Sequence, residues 1–146
     1  MIKQVAILGS TGSIGKSLLN IIVRDKKKFQ ILLLTANKNY KLLLRQAKLY
    51  NVKNIIISDK KFFEKAKFIN KNKKISIYNN FENLKKIFPK KADYTMSAIT
   101  GIEGLLPTIK IIKFTKKIAI ANKEPIICAW NLIKKELKKN KTRFMP

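Results

Sequence analysis

The feature that most constrains this chain is its alternation of short, continuous apolar runs with longer amphipathic stretches. Val5–Leu8, Ile31–Leu34, Asn54–Ile57, Ile75–Tyr78, Tyr94–Ser97 and Ile118–Ala121 read as strands. Several carry no polar residue to turn toward water, the mark of parallel strands covered on both faces. Between them, Ile14–Val23 places Ile14, Leu18, Ile21 and Ile22 on one side, and Tyr40–Tyr50 places Leu43, Ala47 and Tyr50 at helical spacing. Pro125–Lys139 does the same with Ile126, Ile127, Ile133 and Leu137, and Gly101–Thr108 turns into a further helix. Such alternation with short connections predicts an α/β fold: a doubly wound, mainly parallel sheet with helices on both faces.

The length of 146 residues suits one domain, spanning 1–146. No run of eighteen apolar residues offers a membrane-spanning helix, and Met1-Ile2-Lys3 leads straight into the first strand without a signal peptide. The one cysteine, Cys128, forms no internal disulfide, which suits a reducing cytoplasm. Lysine-rich 70–74 reads as a loop. Thr142–Pro146 reads as the opening of another strand with no turn or cap after it, so the expectation is an incomplete chain.

The formal net charge of +25 invites a nucleic-acid reading, because clustered basic residues neutralise phosphates. Lys, Asn and Ile together make up almost half of the chain, however, a bias that an AT-rich genome imposes on any protein. Arg24, Arg45 and Arg143 are the only arginines, whereas base-edge reading favours arginine's bidentate fork. The lysine runs therefore read as solvated faces, and neither a nucleic-acid nor a membrane partner is expected. A basic nucleic-acid-binding α/β module stays as the alternative.

Gly9, Gly12 and Gly15 follow the first strand and open the first helix. In a Rossmann-type turn the first glycine lets the chain reverse, the second lets backbone approach a pyrophosphate, and the third lets the helix pack closely. The amides of Ser13, Ile14 and Gly15 would then sit at a helix N-terminus, which favours an anion, with Ser10, Thr11 and Ser13 adding hydroxyl donors. A P-loop competes, since Gly15-Lys16-Ser17 matches its end. Its first glycine would have to stand at position 10, which is serine. A glycine turn without ligand is the remaining alternative. NAD-binding domains carry an acid about 20 residues on, at the end of strand two. Here Thr35-Ala36-Asn37-Lys38-Asn39 has no carboxylate, and Lys38 suits a 2′-phosphate, so the cofactor expected is NADPH.

Two later strand ends look occupied. Tyr94–Gly101 ends in small residues that leave room for a cofactor across the sheet's carboxyl edge, and Ile118–Ala121 runs into Asn122-Lys123-Glu124-Pro125. Gly9–Gly15, Ala36–Asn39, Gly104–Thr108 and Ala121–Glu124 together resemble, in order and spacing, the N-terminal domain of the 1-deoxy-D-xylulose 5-phosphate reductoisomerase family, over the whole chain. The resemblance implies an NADPH-dependent oxidoreductase of the methylerythritol phosphate route to isoprenoids. Such an enzyme rearranges and reduces a sugar phosphate to 2-C-methyl-D-erythritol 4-phosphate. It further implies that Thr11, Gly12, Ser13, Ile14, Asn37, Lys38, Asn39, Asn122 and Glu124 face the cofactor and that Lys123 binds substrate. A lysine ammonium suits an anionic sugar phosphate and a developing alkoxide. Asn37 stands where the family often has glycine, and Pro125 where it commonly has serine. The family's divalent metal (Mg or Mn), lid and homodimer contacts are expected beyond Pro146, with no catalytic residue inside the chain. A non-catalytic remnant of such an enzyme is the third reading.

Overall fold

The computed structural model describes residues 1–71 and 73–146, so the expected loop at 70–74 lies partly outside the described residues. Seven strands form one parallel sheet: β1 (Lys3–Leu8), β2 (Phe29–Ala36), β3 (Asn54–Ile57), β4 (Ser76–Tyr78), β5 (Tyr94–Ser97), β6 (Lys117–Ile120) and β7 (Arg143–Met145). Their spatial order is β4-β3-β2-β1-β5-β6-β7. The chain builds outward from β1 in one direction, then returns to its other side with β5. That reversal is the switch point at which open α/β sheets bind ligands.

Among the described residues six α-helices connect the strands: α1 (Ser13–Val23), α2 (Tyr40–Leu49), α3 (Lys60–Ile69), α4 (Leu84–Ile87), α5 (Leu105–Ile112) and α6 (Lys123–Lys139). Side chains alternate across a strand, so β1 feeds two cores. Val5 and Ile7 pack with Leu19 and Ile22 of α1, Leu43 and Ala47 of α2 and Ala66 of α3. Ala6 and Leu8 turn the other way, toward Leu84 and Ile87 of α4, Ile111 and Ile112 of α5 and Ile133 of α6. Each fully buried Leu or Ile contributes about 1.5–3 kcal/mol, and Ile7, Leu8, Leu33, Leu34, Ile55, Ile56 and Ile57 are all below 2 % exposed. The expected doubly wound sheet is the one observed.

Two helix faces differ from the sequence expectation. Ile14 and Ile21 are exposed at 45 % and 60 %, while Gly15, Leu19 and Ile22 form the buried stripe of α1. The cause is the close contact of Gly15, described below, which fixes the helix rotation. In α6, Ile127 is 77 % exposed. Ala129, with φ −144° and ψ 32°, interrupts the helix, so spacing counted across it loses phase. Beyond the break, Ile133 and Leu137 are buried as expected, and Trp130 packs edge-on to Phe144 of β7 at 5.3 Å. The strand anticipated at 142–146 is thus an ordered edge of the sheet, pairing with β6.

A buried polar cluster ties the first loop to β2 and α2. The Ser10 Oγ donates to Gln46 Oε1 at 2.8 Å, and Gln46 Nε2 donates back to the Ser10 carbonyl at 3.0 Å. Gln46→Ala would leave the Ser10 carbonyl without its Gln46 partner away from water and the Ser10 hydroxyl with only its longer 3.4 Å contact to the Thr35 carbonyl, a loss of about 1–3 kcal/mol readable as a lower thermal midpoint in calorimetry. At the opposite, amino edge of the sheet, Asp93 accepts from the Gln4 amide at 2.8 Å and from Lys116 at 3.1 Å. The amide bond first, and Lys116 second, hold its carboxyl below the ordinary aspartate value. A depressed pKa contributes stability that is present above the unfolded value and lost as pH falls through the folded one. Asp93→Asn should therefore be less stable than the parent in urea at neutral pH, and the difference should shrink in acid.

Candidate functional site

The loops at the carboxyl ends of β1 to β5 enclose a cleft of about 680 Å³ whose floor is Gly9, Gly12, Ala36 and Ala98. The first turn shapes it. Gly9 sits at φ +80°, and a Cβ there would lie 2.7 Å from the Ala98 carbonyl oxygen. At Gly15 a Cβ would meet the Gly9 oxygen and Ser10 Cα, both at 2.5 Å. The third glycine thus seats α1 on the turn itself. Gly12 differs: its Cβ would meet only the Gly9 oxygen, at an ordinary 3.6 Å. No fold contact demands glycine there, and its missing side chain leaves clearance for whatever occupies the cleft.

Gly12 is also the cap of α1, with no side-chain partner and no acid in the first turn. Among the described residues the amides of Ser13, Ile14 and Gly15 find no acceptor, so the positive end of the helix dipole is open to an anion. The turn is held rigid from below. Gly9 N–H donates to Thr35 Oγ1 at 3.0 Å, and Ser10 N–H donates to the Thr35 carbonyl at 2.9 Å. Ser10 is fully buried, and its hydroxyl is spent on Gln46. The expectation that this hydroxyl faces a ligand is corrected: it braces the loop. Thr11 and Ser13 remain available.

Of the expected site residues, Thr11, Gly12 and Asn37 line the cleft together. Ser13 and Ile14 stand exposed on the first turn of α1 beside it. Lys38 is exposed on the next loop, and Asn39 caps α2, its Oδ1 accepting from Leu42 N–H at 3.4 Å. Asn122 works as a clamp: its Nδ2 donates to the carbonyls of Ile99 at 2.8 Å and Gly101 at 2.7 Å, and its Oδ1 accepts from Glu124 N–H at 3.3 Å. It thereby joins the β5 loop to the start of α6. Lys123 and Glu124 are exposed there, with a Glu124 oxygen 3.9 Å from where a Gly101 Cβ would lie.

The sequence reading did not single out Ser58, Asn79 or Phe81, which line the same cleft from the ends of β3 and β4. Leu106 and Pro107 line it from the Gly104–Thr108 stretch. Asn79 Nδ2 donates to the carbonyls of Ile57 and Ser58 at 3.0 and 3.2 Å, so the third and fourth strand ends are joined. The paired asparagines at 79–80 were the available signal. Lys110 pairs with Glu82 at the cleft wall. Among the described residues no group of three or more His, Cys, Asp or Glu could hold a metal ion, and no helix is long and apolar enough to cross a membrane.

A family profile described as 1-deoxy-D-xylulose 5-phosphate reductoisomerase matches residues 5–130, almost the whole sheet and every loop of the cleft. The chain belongs to that family. The reductoisomerase of Pelagibacter ubique is 60 % identical over 99 % of this chain, which spans 38 % of that relative. The Wolbachia pipientis reductoisomerase is 39 % identical, with 37 % of its length covered. Among solved structures, the Zymomonas mobilis reductoisomerase in complex with NADPH superimposes with a TM-score of 0.89 at 34 % identity, covering 100 % of this chain and 38 % of that one. A reductoisomerase in complex with NADPH, fosmidomycin and magnesium gives 0.87 at 30 % identity. A homoserine dehydrogenase from Thiobacillus denitrificans, 14 % identical with a TM-score of 0.56, shares the fold alone. The chain therefore corresponds in span to little more than a third of the family's length.

The glycines predict a sharp contrast. Gly15→Ala must push backbone apart and should cost about 1–3 kcal/mol or more. Gly12→Ala meets no such contact and should lose only the smaller difference between glycine and alanine at a helix cap, as followed by circular dichroism.

Proposed function

We propose that residues 1–146 are the NADPH-binding domain of a 1-deoxy-D-xylulose 5-phosphate reductoisomerase, an enzyme that rearranges and reduces its substrate to 2-C-methyl-D-erythritol 4-phosphate. The observation that carries this reading is the first turn: open helix-terminal amides stand beside a glycine whose side chain nothing in the fold excludes. This is the surface a pyrophosphate requires. The end of β2 lacks the carboxylate of NAD-binding domains and offers Asn37, Lys38 and Asn39 instead.

On this reading Gly12, Ser13 and Ile14 bind the pyrophosphate through backbone, with the Thr11 hydroxyl beside them. Asn37 and Lys38 take the 2′-phosphate end, with Asn39 holding that loop through its cap on α2. Bound NADPH supplies hydride to the rearranged aldehyde. Asn122 holds the β5 and α6 loops at a fixed separation, so the cofactor's nicotinamide end meets a set surface that includes Glu124. Lys123, exposed at the start of α6, neutralises the anionic sugar phosphate, and its ammonium is placed to steady negative charge on substrate oxygen. The magnesium named with a relative would be held by residues outside this chain, together with the lid and the homodimer interface. A cytoplasmic location accompanies the reading, supported by a single, exposed Cys128.

Thermal unfolding with saturating nucleotide tests the proposal. A ligand at about a hundred times its Kd stabilises by about 2.7 kcal/mol, on the order of 5–10 °C for a domain this size. NADPH should give that shift and NADH less, and Lys38→Ala should narrow the gap. Equal shifts with both nucleotides would refute the NADPH assignment.

A further inference from the structure

We propose that Ser58 is a positioning residue that makes the cleft favour a phosphorylated adenosine ribose, by holding the Asn37 carbonyl oxygen so that the amide NH₂ group is left free to donate. The inference rests on the NADPH-binding reading above and deepens it.

β2 and β3 pair in register through Ala36 and Ile57, so Asn37 and Ser58 are neighbours just past the sheet's carboxyl edge. Both line the cleft. The Ser58 Oγ donates to Asn37 Oδ1 at 3.1 Å. Backbone bonds hold the two loops at that spacing: Ser58 N–H donates to the Ala36 carbonyl at 3.1 Å and Asp59 N–H to the Asn37 carbonyl at 3.0 Å. Asn79 holds Ser58 from the far side through its carbonyl. With Oδ1 turned to Ser58, the NH₂ group of Asn37 is left without an acceptor among the described residues.

Asn37 directly follows β2, the position from which NAD-binding domains project a carboxylate to accept from ribose hydroxyls. A free NH₂ group has a different preference from a carboxylate: it donates to phosphate oxygens, which are charged acceptors, and such charge-assisted bonds are stronger than a bond to a neutral hydroxyl. The acid that follows in the chain, Asp59, is spent on capping α3, its Oδ1 accepting from Phe62 N–H at 3.3 Å. Ser58 acts through Asn37 and need not touch the cofactor itself.

The test is nicotinamide-fluorescence titration of the full 146-residue chain with NADPH and with NADH. Ser58→Ala should weaken NADPH about fivefold, the worth of one ordinary hydrogen bond, and leave NADH unchanged. Ser58→Thr, which keeps the hydroxyl, should retain the parent ratio. In an Asn37→Gly background Ser58→Ala should have no further effect, and Asn37→Asp should invert the preference toward NADH. Equal weakening of both nucleotides by Ser58→Ala, or the same loss in the Asn37→Gly background, would overturn the inference. If the parent prefers NADPH and Ser58→Ala does not change the ratio, the inference fails and the NADPH reading stands. If the parent binds neither nucleotide, the reading fails and takes the inference with it.

Discussion

The contact between Gly15 and the Gly9–Ser10 turn sets more of this molecule than any other. With 2.5 Å from a hypothetical Cβ to backbone on two sides, the start of α1 lies against the end of β1 as closely as two chains can approach. That closeness fixes the rotation of α1 about its axis. Leu19 and Ile22, four and seven residues after Gly15, are thereby committed to the core, and Ile14 and Ile21 to solvent. It also fixes the direction of the helix dipole. The free amides of the first turn point over the carboxyl edge at the place where β1 has β2 on one side and β5 on the other. The packing of α1 and the open amides of its first turn thus have one cause, a missing side chain.

The turn that opens onto the cleft on one side is braced on the other. Ser10, Thr35 and Gln46 supply the brace as a buried polar cluster whose hydrogen bonds satisfy one another. Buried polar groups are costly unless paired and directional when they are, so the cluster specifies the loop's position relative to β2 more sharply than apolar packing would. Asn122 plays a similar part between β5 and α6, and Asn79 between β3 and β4. Small polar side chains that bond carbonyls at strand ends thus tie neighbouring loops in pairs around the cleft. The cleft between them is lined by glycine and alanine, by the hydroxyls of Thr11, Thr35 and Ser58, and by the apolar side chains of Phe81, Leu106 and Pro107.

The sheet and its two-sided cover were legible because parallel strands buried on both faces must be apolar throughout, and such runs are conspicuous in a lysine-rich chain. The seventh strand, which opens on the exposed Arg143, was expected at 142–146 without such a run. The helices were less legible. Their existence followed from amphipathic spacing, but which of two adjacent apolar stripes faces inward did not. Ile14 and Leu19 are equally apolar, and only the glycine contact chooses between them. In α6 the break at Ala129 undid a count that spacing alone could not correct.

Residue type along local stretches was enough to set the α/β order, the place of the glycine turn and the absence of an acid after β2. The tertiary structure decided which of those residues meet. It joined Asn37 to Ser58 and Ser10 to Gln46 through pairings of elements distant in the chain, turned the Ser10 hydroxyl from a ligand donor into a brace, and brought Asn79 and Phe81 to the cleft from β4. The physical reason is that hydrogen bonds and packing act over a few ångströms in space. Which residues come within that range is set by strand order and register, and these are properties of the assembled sheet rather than of any one segment.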